Sequence, residues 1–392
     1  MSRAGDLRGA AAIVGVAESP LGEVRDLTVL GMQAVAAKEA LGESGLRLAE
    51  VDAVFSAGAG LMASVEVAEY LGIRPRYTDS TQIGGSSFEA HVGHALMAIA
   101  HGLCDVALVT YASRQRSQRS RTLAGRGGGG FDQTLQGQFE APFGLPLPVG
   151  AYALAATRHM ALYGTTAEHM AQVAVSTREW AMLNEKAWRR DPLTIADVMA
   201  SPMISTPLHL LDCCLVVDGG GALVLTSAER AVDLARSPVY VLGRGESHDH
   251  MAISQMPELT ETAAVVSGPD AFAMAGLGPG DIDVCQLYDS FTITVLLALE
   301  DLGFCPKGES GPFVEDGRLG PGGNFPTNTS GGGLSYCHPG MLGLLLLVEA
   351  VRQLRGECGP RQVEGAEVAC VHGVGGVLSS TATVILGTGA TL

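Results

Sequence analysis

Short, nearly continuous apolar runs alternate along this chain with longer stretches of helical spacing. Runs such as Asp105-Val-Ala-Leu-Val-Thr110 and Val368-Ala-Cys-Val371 show no polar alternation, which predicts strands buried on both faces. Strands of that kind between helices make an α/β protein with helices layered over its sheets. The pattern also occurs twice. Ile13-Val-Gly-Val-Ala-Glu-Ser19 returns as Val241-Leu-Gly-Arg-Gly-Glu-Ser247, and SGLRLAEVDAVFS (44–56) is echoed by AGLGPGDIDVCQL (275–287). A glycine pair with a long apolar helix follows in each half, at 84–102 and 332–350. Two pseudo-symmetric β-α-β-α-β halves are therefore predicted. Residues 114–210 form an insertion, rich in Arg, Gly and amphipathic helix. It leads into HLLDCCLVVDGGGALVLTS (209–227), whose apolar end reads as a core strand returning to the first half. The first half then comprises 1–113 with 211–236, and the second 237–392.

The length of 392 residues suits two such halves, and 47% hydrophobic against 17% charged residues indicates a well-buried globular protein. Net charge −16 opposes attraction to nucleic acid or anionic lipid. The longest apolar stretch, Gly340 to Val351, contains Glu349 and is too short to span a bilayer. Arg3 and Arg8 precede an apolar run, but Asp6 and Glu18 bracket it; the run reads as a core strand rather than a leader, and a cytoplasmic protein is expected. Eight cysteines without a CxxC motif indicate neither a disulfide framework nor a metal site.

Three segments carry candidate chemistry. Tyr288 and Asp289 end an apolar strand just before a helix, where α/β sheets place reactive groups; a buried, carbonyl-bonded tyrosine is the plain alternative. NFPTNTSGGGLSYCHPGMLG (324–343) puts Tyr336, Cys337, His338 and Pro339 after three glycines. Proline suits a first helical turn there, so a helix start facing a thioester carbonyl is predicted, against a merely capping histidine. VHGVGGVLSSTATVILG (371–387) is a glycine turn before a final strand, with His372 and Gly375 either lining the same cleft or solvated. Arg114, Arg116, Arg119, Arg121 and Arg126 fall within thirteen residues, a basic loop suited to phosphate or to an acidic partner surface.

Taken together, the two halves, the insertion with RHMALYGTTAEHMAQVAVSTREWAMLN (158–184), the strand-end YDSFT and the GGGLSYCHPG segment resemble the thiolase superfamily. The likeness is strongest to its sterol-carrier-protein type and to relatives that lack the nucleophile, and it covers nearly the whole chain. It implies a five-layer αβαβα fold with an inserted loop domain. Thiolases use a Cys at the first-half helix start, a His at the strand-end motif, a His in Gly-His-Pro and a second Cys in a C-terminal glycine turn. Here the first position falls among Gly85, Ser86 and Ser87, Tyr288 stands for the first histidine, and only His338 with Pro339 is retained. The C-terminal turn has His372-Gly373, with Cys370 in the preceding strand.

Without a thiolate, covalent acyl transfer is disfavoured. The resemblance then implies a non-covalent retro-aldol lyase similar to bacterial steroid side-chain aldolases, which release propionyl-CoA and leave a ring ketone. By that likeness Tyr288 and Tyr336 form the proton-transfer pair, while His338 and the Ser86/Ser87 helix start polarise the thioester, with Asp289, His372 and Gly375 beside them. Coenzyme A enters only as part of the substrate, with no separate cofactor. A homodimer is expected, joined by an OB-fold and zinc-ribbon accessory protein in a heterotetramer, and the arginine loop would meet CoA phosphates or that partner. Two alternatives stand beside this reading: acyl transfer through an unexpected nucleophile such as Cys337, and a non-catalytic lipid or acyl-CoA carrier.

Overall fold

The computed structural model describes residues 7–58, 60–118 and 131–392, so Arg119, Arg121 and Arg126 lie outside the described residues. The doubled pattern appears as two half-sheets, hydrogen-bonded edge to edge into one nine-stranded sheet. The first half supplies β1 (Ala11–Glu18), helix α1 (Val29–Ser44), β2 (Ala53–Phe55), α2 (Ala63–Leu71), β3 (Tyr77–Asp79), α3 (Ser87–Ala100) and β4 (Val106–Arg114). From the insertion come α4 (Val149–Tyr163) and α5 (Ala167–Met182), after which β5 (Asp218–Ser227) returns between β4 and β1. The second half runs β6 (Val239–His248), α6 (Ala264–Ala275), β7 (Val284–Leu287), α7 (Thr292–Asp301), α8 (Gly343–Leu354), β8 (Val368–Gly375) and β9 (Ser380–Gly387).

The strand order is β3-β2-β4-β5-β1-β6-β9-β8-β7, with β1 and β6 joined only at Ala12–Tyr240 and Ile13–Val239. Reading outward from that seam, β1-β5-β4-β2 matches β6-β9-β8-β7 strand for strand. The counterpart of β3 is the extended Pro326–Asn328 segment, which bonds to both sides of Cys285 on β7. Helices α3 and α8 touch each other and both sheets, α1 covers the first sheet from outside, and α6 covers the second. This is a five-layer αβαβα arrangement.

Glycines allow the close approaches that the layers need. A Cβ on Gly15 would lie 2.0 Å from the Ala40 carbonyl oxygen of α1, and one on Gly245 equally close to the Ser267 carbonyl of α6. The matched glycines at 15 and 243 serve the same purpose in each half, since Gly243 meets the Ala271 carbonyl at 2.0 Å. The halves are further tied by His94 of α3, whose ring nitrogens bond Asp79 of β3 at 2.6 Å and Glu246 of β6 at 3.1 Å. These two bonds raise its pKa to about 9.

The predicted helix start at Pro339 is corrected. Residues 332–336 instead make one wide turn, with Tyr336 N–H donating to the Gly331 carbonyl and Cys337 N–H to that of Gly332. Helix α8 begins only at Gly343. The cause is local: Gly331 and Gly332 take φ of 98° and 52°, backbone angles that L side chains avoid. The buried Asp289 carboxylate then accepts the Gly333 and Leu334 N–H groups at 2.6 and 3.1 Å.

Candidate active site

The strand end after β7 and the segment before α8 meet over the start of α3. Tyr288 is fixed by its N–H, which donates to the His372 carbonyl at 2.9 Å, and its ring is buried. The phenol oxygen accepts the Leu342 N–H at 3.2 Å and lies 3.1 Å from His338 Nε2. The two rings stand edge to face, 5.7 Å apart at 88°. Burial pushes the Tyr288 pKa well above its ordinary value, with the Leu342 N–H acting the other way. Burial lowers that of His338 to about 4, so the imidazole is neutral at pH 7. With the Leu342 N–H already given to it, the phenol can donate its own proton to a neutral Nε2.

Beneath this pair lies Gly85. A Cβ built there would fall 2.2 Å from Tyr288 Cε2, 2.4 Å from Cζ and 2.5 Å from the hydroxyl. Contacts that short do not occur, so a side chain at 85 and this placement of the phenol exclude one another. The position among 85–87 that carries no side chain is thus the one the tyrosine covers. The hydroxyls of its neighbours serve the backbone. Ser87 Oγ donates to the Gly84 carbonyl at 2.7 Å and accepts the Ile83 N–H at 3.0 Å, while Ser86 Oγ reaches the Ile83 carbonyl and Ser380 Oγ. Both shape the start of α3. Gly375 belongs to the same corner, since its Cβ would strike the Ile83 carbonyl oxygen at 1.6 Å.

Other predicted residues fall elsewhere. The Tyr336 hydroxyl donates to Glu18 Oε1 at 2.6 Å, in a buried cluster where Glu18 also meets Arg352 at 2.7 Å and Lys186. Although burial opposes it, Arg352 and Lys186 hold the Glu18 pKa at about 2. A phenol donating to a fixed carboxylate is poorly placed to exchange protons with a substrate beside Tyr288, so the structure does not bring the two tyrosines together as a pair. Tyr336→Phe is therefore expected to lower stability by about 1.5–3 kcal/mol, the scale of one lost hydrogen bond to a charged acceptor. Turnover should stay within about fivefold of the wild type; melting temperature and kcat measured side by side check this.

His372 is likewise corrected as a cleft residue. Alternation along β8 turns Gly373 and Gly375 toward α3 and His372 the opposite way. Its Nδ1 bonds Thr383 Oγ1 at 2.9 Å, and Thr383 in turn bonds Ser267 of the outer helix α6. Arg114 donates to the Val24 carbonyl at 2.9 Å, and Arg116 lies over the Trp188 ring, 4.9 Å from its centroid. Both are engaged by their own chain. Cys337 is fully buried with Sγ toward the Asp218 carbonyl, and burial pushes its pKa well up. All eight cysteines are free and buried.

Three contributors carried no motif in the sequence. Tyr111 of β4 donates to the Pro339 carbonyl at 2.8 Å and so anchors the loop bearing His338. Tyr152 of α4 stacks on Phe291 at 4.3 Å, its hydroxyl 3.4 Å from the Gly376 carbonyl. Cys214 is held by its N–H on the Ser290 carbonyl, beside Tyr288 and Asp289. Tyr111 and Tyr152 sit on β4 and α4, whereas Cys214 lies in the loop before β5. Among the described residues there is no group of three or more His, Cys, Asp or Glu side chains able to hold a metal, and no helix long and apolar enough to cross a membrane.

Comparison with known proteins agrees with this fold. The model of the thiolase C-terminal domain-like family matches residues 245–388. A protein named acetyl-CoA acetyltransferase from Methanothermobacter thermautotrophicus is 35% identical, covering 95% of this chain and 98% of the other. One named 17-hydroxy-3-oxo-4-pregnene-20-carboxyl-CoA lyase from Mycobacterium tuberculosis is 37% identical over 97% and 100%. The solved structure of an Ltp2-ChsH2(DUF35) aldolase superposes with a TM-score of 0.88 at 34% identity, covering 97% of this chain and 98% of that one. With a five-layer fold, a doubled strand order and whole-length relatives of this kind, the chain belongs to the thiolase superfamily, as a member whose first-half helix start carries no cysteine.

Proposed function

We propose that the protein is a carbon–carbon lyase that cleaves a β-hydroxyacyl-CoA by a retro-aldol reaction. The substrate is a steroid side-chain thioester of the 17-hydroxy-20-carboxyl-CoA kind, cleaved to propionyl-CoA and a ring ketone in bacterial sterol catabolism. The observation that carries this reading is the Tyr288 phenol lying over Gly85, at the helix start among 85–87 where the resemblance puts a thiolase's sulfur. Relatives named lyase and aldolase, matched over nearly the whole chain, support it.

The reaction needs no covalent intermediate and no net proton. The hydroxyl on the β-carbon loses a proton as the Cα–Cβ bond breaks, and the Cα of the resulting thioester enolate gains one. A free tyrosine is only about 0.1% ionised at pH 7, a cost of roughly 4 kcal/mol, and burial increases it. A standing phenolate is therefore excluded as the base. Tyr288 instead passes its own proton to neutral His338 Nε2 while accepting that of the substrate hydroxyl. The imidazolium appears as the enolate forms, so each charge offsets the other in a poorly solvated site. The same pair then returns a proton to Cα.

Acyl transfer would need a thiolate, and no cysteine side chain points into the Tyr288–His338 corner from positions 85–87 or 337. Partners follow the relatives: the solved aldolase named with a DUF35 component supports a heteromeric assembly. We extend this to an OB-fold and zinc-ribbon accessory protein on a homodimer. The test is mass spectrometry of CoA products from a tertiary β-hydroxyacyl-CoA, with the purified complex before and after iodoacetamide. Short acyl-CoA should appear at an undiminished rate after alkylation; no product, or product abolished by alkylation, would sink the lyase reading.

A further inference from the structure

The two central helices enclose a carboxylate that the reaction above does not use. Glu89 stands one turn beyond Gly85 on α3 and is 1% exposed. Among the described residues neither of its oxygens has a hydrogen-bond partner. Two glycines make room for it: a Cβ on Gly343, the first residue of α8, would lie 2.3 Å from Oε2, and so would one on Gly373 of β8. The same point on Gly343 is 2.4 Å from the Gly85 carbonyl oxygen. The Glu89 carboxyl and the Gly85 carbonyl therefore crowd one spot. Tyr288 covers Gly85, and the Leu342 N–H next to Gly343 holds the phenol oxygen.

A bare carboxylate so enclosed is strongly disfavoured, while a neutral acid has an O–H to give. The adjacent Gly85 carbonyl is the acceptor at hand. Among the described residues no ionic partner relieves the site. On β6, Arg244 lies further along α3 against Gly93 and Met97, and Glu246 is bound to His94. Glu18 of β1 is bound to Lys186 and Arg352, the latter on α8; Glu349 of α8 is bound to Arg361; Asp218 of β5 is bound to Ser117 and to backbone N–H groups. His372 of β8 turns to Thr383, Tyr111 of β4 bonds Pro339, and β9 carries no titratable residue. The nearest reacting groups, Tyr288 and His338, are neutral at pH 7.

We propose that Glu89 is a positioning residue held as a neutral carboxylic acid, whose proton ties the Gly85 carbonyl and fixes the first turn of α3 under Tyr288. Burial places its pKa at about 8, with only its own backbone acting in the opposite sense. Loss of that proton to solvent frees the carbonyl and sets a negative charge behind the site where the thioester enolate forms. Turnover therefore falls as pH rises through that value. This consequence rests on the lyase reading, whereas the protonation of Glu89 does not.

Two measurements on the full chain in its complex separate them. Infrared difference spectra between neutral and alkaline pH should show a buried carboxylic acid band that titrates near pH 8 and is missing from Glu89→Gln. That variant keeps the volume and can donate from its amide, so its neutral-pH kcat should stay within about threefold of wild type. Wild-type kcat should fall at least about tenfold through an alkaline limb that the variant lacks. Absence of the band, or an alkaline limb unchanged in Glu89→Gln, overturns the inference. A chain that shows the band but cleaves no β-hydroxyacyl-CoA overturns the lyase reading instead.

Discussion

Replacing Tyr288 by Phe is expected to lower kcat for carbon–carbon cleavage by about 10²–10⁴-fold, the usual contribution of a positioned proton-transfer group. The phenylalanine ring fills the same space over Gly85, so binding of the acyl-CoA should change little. The reason for the loss is specific. His338 Nε2 keeps no hydrogen-bonded proton to exchange with the substrate, and the Leu342 N–H loses its acceptor. That orphaned donor costs about 1–3 kcal/mol of stability, which a thermal melt detects. Steady-state kinetics decide the point: a variant with near wild-type kcat would remove Tyr288 from the reaction, and an equal loss in Tyr336→Phe would overturn the separation of the two tyrosines.

Returning the missing sulfur should fail in an informative way. Gly85→Cys places its Cβ within 2.5 Å of two ring carbons and the hydroxyl of Tyr288, so the phenol must leave its position or the start of α3 must shift. Overpacking of this sort costs about 1–3 kcal/mol. Lyase turnover should drop by at least about 10²-fold, because the Tyr288–His338 distance is set by that packing. The single variant should form no acyl-enzyme. Gly85→Cys combined with Tyr288→His removes the collision and should accumulate an acyl-thioester, seen as added mass on the intact protein. If the single variant instead acylates while lyase activity persists, the two side chains are not mutually exclusive and the geometric argument is wrong.

These expectations also mark how far the sequence alone reaches. The doubled motif Ile13–Ser19 and Val241–Ser247 located β1 and β6, and the glycine spacing within each matches the helix contacts at Gly15, Gly243 and Gly245. Strands buried on both faces leave an unambiguous apolar record, and a duplicated fold writes it twice. Tyr288 and His338 were legible for another reason: polar side chains ending an apolar strand or following a glycine cluster interrupt a pattern that otherwise serves packing.

The direction of a side chain leaves no such record. Tyr336 shares a pentapeptide with His338, yet the wide turn at 332–336 sends its hydroxyl to Glu18, more than three hundred residues away in sequence. His372 lies one residue from the inward-facing Gly373, and strand alternation alone puts it on the outer face. Glu89 lies in a helix's first turn, where acidic residues are common, and its burial comes only from α8 and β8 closing over it.

By itself, the sequence determined the doubled α/β halves and a first-half helix start without a cysteine, because burial and residue identity are one-dimensional properties of the chain. Only the tertiary structure decided which groups meet. Contacts between helices and strands remote in sequence depend on backbone turns and on the space that the missing side chain of a glycine concedes, as where Gly85 admits Tyr288.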